Sequence, residues 1–342
     1  MFTVVDGDRV ERIDARPGPG GRPLAPLDRP LLGWERKPHG WCRDDACLPA
    51  ARVAGIETPD GVDVTAFAEL TGHVAVVDAA ERAVALAAAA PRLTAAEAPD
   101  FELDGVRLAD LRGRKVALVF WASWCGCRYD LPAWEERHAA LRDHGFTVVS
   151  VACDRSAGDA RPWIEEAKAT HPALVDTEGV VAELYNVINV PTVVWIDEEG
   201  RIARPQDTQT ATDLFRSMNG LDSQVSSAAL RRWVVDGDAG LDDAQVREHL
   251  RVPTAEEQRA RAHARLAVWL AREGRDEAAR RHAAEAAALA PHDVAIRRGL
   301  MPLTGEDPFG DAYFALRDEL EKAGIPIYRP LPARPGAWTS DS

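Results

Sequence analysis

The chain has 342 residues, 46% of them apolar and 28% charged, an ordinary globular composition with room for two or three domains at about 150 residues each. Its 55 acidic residues against 41 basic ones leave a formal charge of −14 at pH 7, spread along the chain, which argues against nucleic acid as a partner. The charged opening MFTVVDGDRVERID and the shortness of the longest apolar run, 83–90, argue against a signal peptide and a membrane span, so a cytoplasmic protein with no membrane partner is expected.

Residues 2–13 alternate about Asp6-Gly7 and predict a β-hairpin, and the Pro- and Gly-rich stretch 16–30 that follows reads as a loop. GWERKPHGWCRDDACLP then sets Cys42 and Cys47 on either side of a turn. Thr65 is the expected cap of a short helix ending before Gly72, 73–77 is an expected strand, and the Ala-rich run 79–90 is an expected helix. These elements make a small α+β module over 1–95. From about residue 96 the pattern becomes strand 115–121, helix 131–144, strand 147–152, helices near 161–170 and 180–185, strand 192–196 and a last strand closing near Ala203. That is an α/β domain over 96–206 with a parallel strand pair. Residues 222–342 are Ala- and Arg-rich and predict an α-helical domain with stops at Gly237, Gly274, Pro291, Gly299 and Gly324. Within it, Leu266, Ala267, Leu270, Gly274, Ala279, Ala283, Ala286 and Pro291 resemble one tetratricopeptide unit, read either as scaffold or as a surface for a protein partner.

Five cysteines are too few for a disulfide scaffold, so each reads as catalytic, metal-binding or buried. In ALVFWASWCGCRYDLPAW, residues 117–134, an apolar strand runs directly into Cys125 and Cys127 at the opening of a helix. Backbone N–H groups and the helix dipole stabilise a thiolate there, which makes Cys125 a nucleophile. Cys127, two residues on, is placed to resolve the mixed disulfide or sulfenic acid that Cys125 forms.

FWASWC followed by Cys-Arg, an acid, Leu and Pro resembles the signature of the thioredoxin-like TlpA/ResA reductases, and Tyr185-Asn-Val-Ile-Asn-Val-Pro191-Thr192 resembles the second segment of that family. The resemblance covers about 96–205 and implies a thioredoxin-like fold. Carried over position by position, it makes Trp124 the residue before the nucleophile and a substrate contact, Asp130 the acid and Pro132 a helix-kinking proline. It also makes Pro191 a cis-proline that leaves the Val190 backbone free to pair with an extended substrate segment, with Thr192 beside it. The sequence departs from the family in having only Gly126 between the cysteines. A C-x-C disulfide closes a smaller ring, which predicts a more oxidising couple than a C-x-x-C pair. Val119 stands where thioredoxins proper carry a buried acid, leaving Asp130 as the group able to help with protons.

The expected function is a thiol-disulfide oxidoreductase acting on protein disulfides or oxidised thiols. The alternatives are a peroxiredoxin-like thiol peroxidase taking a peroxide, although the signature Pro-x-x-x-Thr-x-x-Cys is absent, and a redox-sensing adaptor that binds a protein through its C-terminal helices. No cofactor and no metal are implied at the C-x-C. Cys153, after the second parallel strand, is expected at the same sheet edge as Cys125, either as a third redox thiol or as a small buried residue. Cys42 and Cys47, with His39 nearby, remain open between a local staple, a redox relay and a metal site.

Overall fold

The computed structural model describes residues 1–89 and 93–332; residues 90–92, where the expected helix 79–90 ends, and 333–342, the end of the expected helical domain, lie outside the described residues. The chain divides into two compact units. One comprises residues 1–91 and 253–305, and the other comprises 92–252 and 306–342.

In the first unit, Phe2–Asp6 and Arg9–Ile13 form the expected hairpin, and the full sheet runs His73–Asp78, Ala83–Ala88, Phe2–Asp6, Arg9–Ile13. The Ala-rich run is therefore a strand, not the expected helix. Alanine favours helix when nothing else decides, but here the strand is buried on both faces. Val84 and Leu86 enter one apolar cluster with Phe2 and Val4, while Ala83, Ala85 and Ala87 meet Ala262, Leu266 and Leu270. Small residues on the second face let a helix approach the sheet closely. The stretch expected to be a loop, 16–30, holds two short paired strands, Arg16–Pro17 and Pro23–Ala25. The short helix Val64–Leu70 is capped by Asp63, whose side chain accepts from the N–H groups of Thr65 and Ala66, rather than by Thr65. Glu35–Lys37, Gly40–Arg43 and Ala46–Pro49 form a small three-stranded sheet.

The expected helical domain 222–342 is divided between the two units. Ala255–Arg272 and Asp276–Leu289 form a helical hairpin turning at Gly274 (φ 73°), and its Leu266, Leu270 and Ala279 pack on the sheet of the first unit. That apolar face is covered, so it is not free to serve the expected external partner. Asp78 pins the hairpin, accepting from Arg281 at 2.8 Å and contacting His282 Nε2 at 3.1 Å.

The second unit is built on a five-stranded sheet in the order Ala173–Val175, Phe146–Ala152, Lys115–Trp121, Thr192–Ile196, Ile202–Asp207. The first three strands are parallel, Thr192–Ile196 alone runs antiparallel to them, and Ile202–Asp207 turns back antiparallel to Thr192–Ile196; the C-terminal end of the central strand Lys115–Trp121 opens onto the chemistry-bearing segment. Helix Leu131–Leu141 follows, and helix Ala157–Ala167 starts earlier than predicted because Ser156 caps it. Helix Ser223–Asp236 packs Leu230, Trp233 and Val234 against Ala117, Val119 and Trp195 of the sheet, with Trp233 stacked on Trp195 at 4.8 Å. Residues 222–252 thus complete this core, because one face of the sheet would otherwise expose its tryptophan. No helix among the described residues is long and apolar enough to cross a membrane.

Candidate active site

Cys125 ends the loop that leaves strand Lys115–Trp121 and caps the 3-10 turn Gly126–Asp130, which runs directly into helix Leu131–Leu141. Its Sγ accepts from the Cys127 N–H at 3.5 Å, the contact a thiolate needs, and donates as a thiol to the Val190 carbonyl at 3.5 Å. The Val190–Pro191 bond is cis, and Thr192 Oγ1 donates to the Asn189 carbonyl at 2.8 Å, closing the turn that presents Val190 to the sulfur. The structure thus brings together Cys125, Gly126, Cys127, Val190, Pro191 and Thr192 from segments 65 residues apart.

Burial pushes the Cys127 thiol well above the ordinary range, and contact with Cys125 and the charge of Asp130 push the same way. A backbone hydrogen bond at Ala122 opposes these effects without overcoming them, so Cys127 is held as the thiol, while Cys125 Sγ takes the Cys127 N–H. Cys153 lies at the same sheet edge, its N–H donating to the Trp121 carbonyl at 2.7 Å. Burial and the neighbouring carboxylates of Asp176 and Asp154 raise its thiol too, which makes it a poor nucleophile.

Three expectations need correction. The Val190 backbone is not free: its N–H donates to Asn189 Oδ1 at 2.8 Å and its carbonyl takes the Cys125 thiol. Asp130 is not an open proton acceptor: it is buried, its oxygens accept from Ala211 N, Thr212 N and Thr212 Oγ1, and burial raises its pKa against those bonds. Pro132 starts the α-helix, where its missing N–H costs nothing, rather than kinking it. Trp124 is half-buried against the main core of this unit, and Trp121 and Trp195 are core residues.

Several residues absent from the sequence reading shape the site. Asp154 accepts from the Ser123 N–H and hydroxyl and so fixes the loop before Trp124. Phe215 lies over Gly126, where a Cβ would stand 2.6 Å from its ring, so glycine is required by close approach. The guanidinium of Arg128 lies over the rings of Tyr129, Trp163 and Phe309 and binds the Ser123 carbonyl. Finally, the segment after helix Asp311–Lys322 crosses the cis-proline turn: Asn189 Nδ2 donates to the Ile327 carbonyl at 2.8 Å and Arg329 N donates to Thr208 Oγ1 at 2.9 Å. Burial, Tyr313 and the nearby Cys125 together push the Tyr328 phenol well up. Under this cover Cys125 is 5% exposed and Cys127 7%.

The AhpC/TSA family matches residues 88–204. The thioredoxin-like protein YneN of Bacillus subtilis is 36% identical over 131 residues, 36% of this chain and 74% of that one. The chain belongs to the thioredoxin-like thiol-disulfide oxidoreductases. The thiol-disulfide oxidoreductase ResA of Oceanobacillus iheyensis is 33% identical over 115 residues, covering 31% of this chain and 60% of ResA. Among solved structures, the thioredoxin domain of a thiol-disulfide oxidoreductase from Bacteroides vulgatus is 28% identical, with a TM-score of 0.32, over 37% of this chain and 96% of that domain. The C-x-C of this member of the family occupies the turn just described.

Proposed function

We propose that the protein exchanges disulfides on polypeptide substrates, with Cys125 as nucleophile and Cys127 as resolving thiol. The Cys125 thiolate attacks one sulfur of a substrate disulfide, forming a Cys125 mixed disulfide and expelling the other substrate sulfur as a thiolate. Cys127 then attacks Cys125 Sγ, releases the second substrate thiolate and leaves the Cys125–Cys127 disulfide, so two electrons pass from the dithiol to the substrate. The observation that carries this reading is the placement of Cys125 Sγ between the Cys127 N–H and the carbonyl before cis-Pro191. Trp124 and Thr192 border the nucleophile and the cis-proline turn, and Asp130 acts on Cys127 through its charge.

The test is reduction of a polypeptide disulfide by the full chain, with Cys127→Ser and Cys125→Ser as controls. Cys127→Ser should accumulate a mixed disulfide on Cys125, and Cys125→Ser should form none. Turnover of peroxide with none of a polypeptide disulfide would replace this reading with the peroxidase one.

A further inference from the structure

Outside that site, the first unit holds a second sulfur pair. Cys42 and Cys47 stand directly opposite each other on the hairpin strands Gly40–Arg43 and Ala46–Pro49, and they are joined as a disulfide. The bond gives a metal no thiolates, which leaves staple and redox readings. As a staple it adds little. The strands are already closed by a two-residue turn, paired along their backbones and anchored by Trp41 and Leu48, both buried. A loop this short places the crosslink at the low end of what such bonds supply.

We propose that Cys42, Cys47 and His39 form a second thiol-disulfide exchange centre, which takes electrons from an external dithiol through Cys47. Three observations carry it. Cys47 is exposed while Cys42 is buried, so an incoming thiolate reaches one sulfur only. His39 is exposed, and its Nε2 lies 3.3 Å from Cys42 Sγ and 3.8 Å from Cys47 Sγ, against both atoms of the bond. The His39 carbonyl accepts from Ala50 N at 2.9 Å, which holds the backbone beside the hairpin. Exposed disulfides are the labile class.

The chemistry balances as an exchange. A thiolate of the dithiol attacks Cys47 Sγ, the Cys42–Cys47 bond breaks, and the electron pair leaves on Cys42 Sγ, which takes the proton from His39 Nε2. The second thiolate of the donor then attacks the donor sulfur in the mixed disulfide and releases Cys47. The donor is oxidised to a disulfide and the Cys42–Cys47 pair is reduced by two electrons.

This centre goes beyond the proposed function and is tested separately from it, in a full-length Cys125→Ser/Cys127→Ser/Cys153→Ser protein. Dithiothreitol without denaturant, followed by acid quench, alkylation and peptide mapping, should add two hydrogens at Cys42 and Cys47. Glutathione should leave its adduct on Cys47. His39→Ala and the milder His39→Gln, each checked for an unchanged melting curve, should slow reduction about tenfold or more, since both remove the proton donor. Reduction only after unfolding, an adduct on Cys42, or parental rates in both histidine variants would overturn the proposal.

Discussion

Cys125 is 5% exposed, and if residues 327–331 provide its shielding, the reactivity of this thiol depends on a segment more than 180 residues away. Residues 327–331 are held by Asn189 Nδ2 to the Ile327 carbonyl (2.8 Å), by Arg329 N to Thr208 Oγ1 (2.9 Å), by Leu331 N to Asp207 Oδ1 (2.7 Å) and by Arg204 to the Leu331 carbonyl (2.9 Å). If Cys125 reacts only when this segment lifts, its alkylation rate is the intrinsic rate multiplied by the open fraction. Thr208→Val keeps the shape of the side chain and removes the acceptor of one of these bonds, a loss of about 1 kcal/mol. Since 1.4 kcal/mol is tenfold, the open fraction and the labelling rate should rise about fivefold. A chain ending at Gly324 removes all four bonds and should label faster still, up to the rate of an uncovered thiol. The assay is a time course of iodoacetamide labelling, quantified at the Cys125 peptide by mass. Unchanged Cys125 labelling in the shortened chain would refute the reasoning, and the shielding would then have to come from Phe215 and the turn itself.

Gly126→Ala puts a methyl group 2.6 Å from the Phe215 ring and should cost about 1–3 kcal/mol in thermal or denaturant unfolding. Pairing it with Phe215→Ala should recover part of that cost, and strict additivity would disprove the contact. Glu135 is pulled by two opposing effects: burial raises its pKa, and the hydrogen bonds from Thr170 and His171 outweigh that and lower it to about 2. A depressed folded pKa stabilises above the unfolded value and loses that stability as pH falls. Glu135→Gln should therefore cost about 1 kcal/mol at pH 7, with the difference from the parent shrinking below about pH 4.5 and vanishing near pH 2. Trp233→Ala removes the partner stacked on Trp195 and should cost about 3–5 kcal/mol. For the same reason a fragment of residues 96–221 should give no cooperative melt; a sharp transition from it would show that the helix Ser223–Asp236 is dispensable.

The parts of the fold legible in the sequence are those set by short-range pattern. Strands Lys115–Trp121 and Thr192–Ile196 were readable end to end because each is buried on both faces and so writes an unbroken apolar run. Ala83–Ala88 reads as part of a helix in the sequence because its composition favours one locally. What makes it a strand is the pairing of Ala83–Ala88 with Phe2–Asp6 and His73–Asp78, and the helix Ala255–Arg272 that arrives some 170 residues later. The single helical domain expected over 222–342 failed similarly: helical periodicity shows that a face is apolar and leaves open which core it joins. Trp233 enters one unit and Leu266 the other.

The same division runs through the site. Cys125 and Cys127 stand out because their chemistry is written in adjacent residues, and Pro191 stands out through the resemblance of residues 185–192 to the family's second segment. Asp154, Asn189 and Phe215 could not, since each acts on a partner far along the chain: 31 residues separate Asp154 from Ser123, and 138 separate Asn189 from Ile327. Asn189 also shows why the family pattern alone misleads. Its Oδ1 accepts from the Val190 N–H and its Nδ2 donates to the Ile327 carbonyl, so one side chain satisfies the turn and binds the covering segment. An extended substrate that pairs with the Val190 N–H must displace the Asn189 side chain from it, whereas the carbonyl, with two lone pairs, can accept a second bond beside Cys125. If a substrate pairs there, moving the Asn189 side chain off the Val190 N–H would also strain its bond to the Ile327 carbonyl, which would couple occupancy of the turn to residues 327–331.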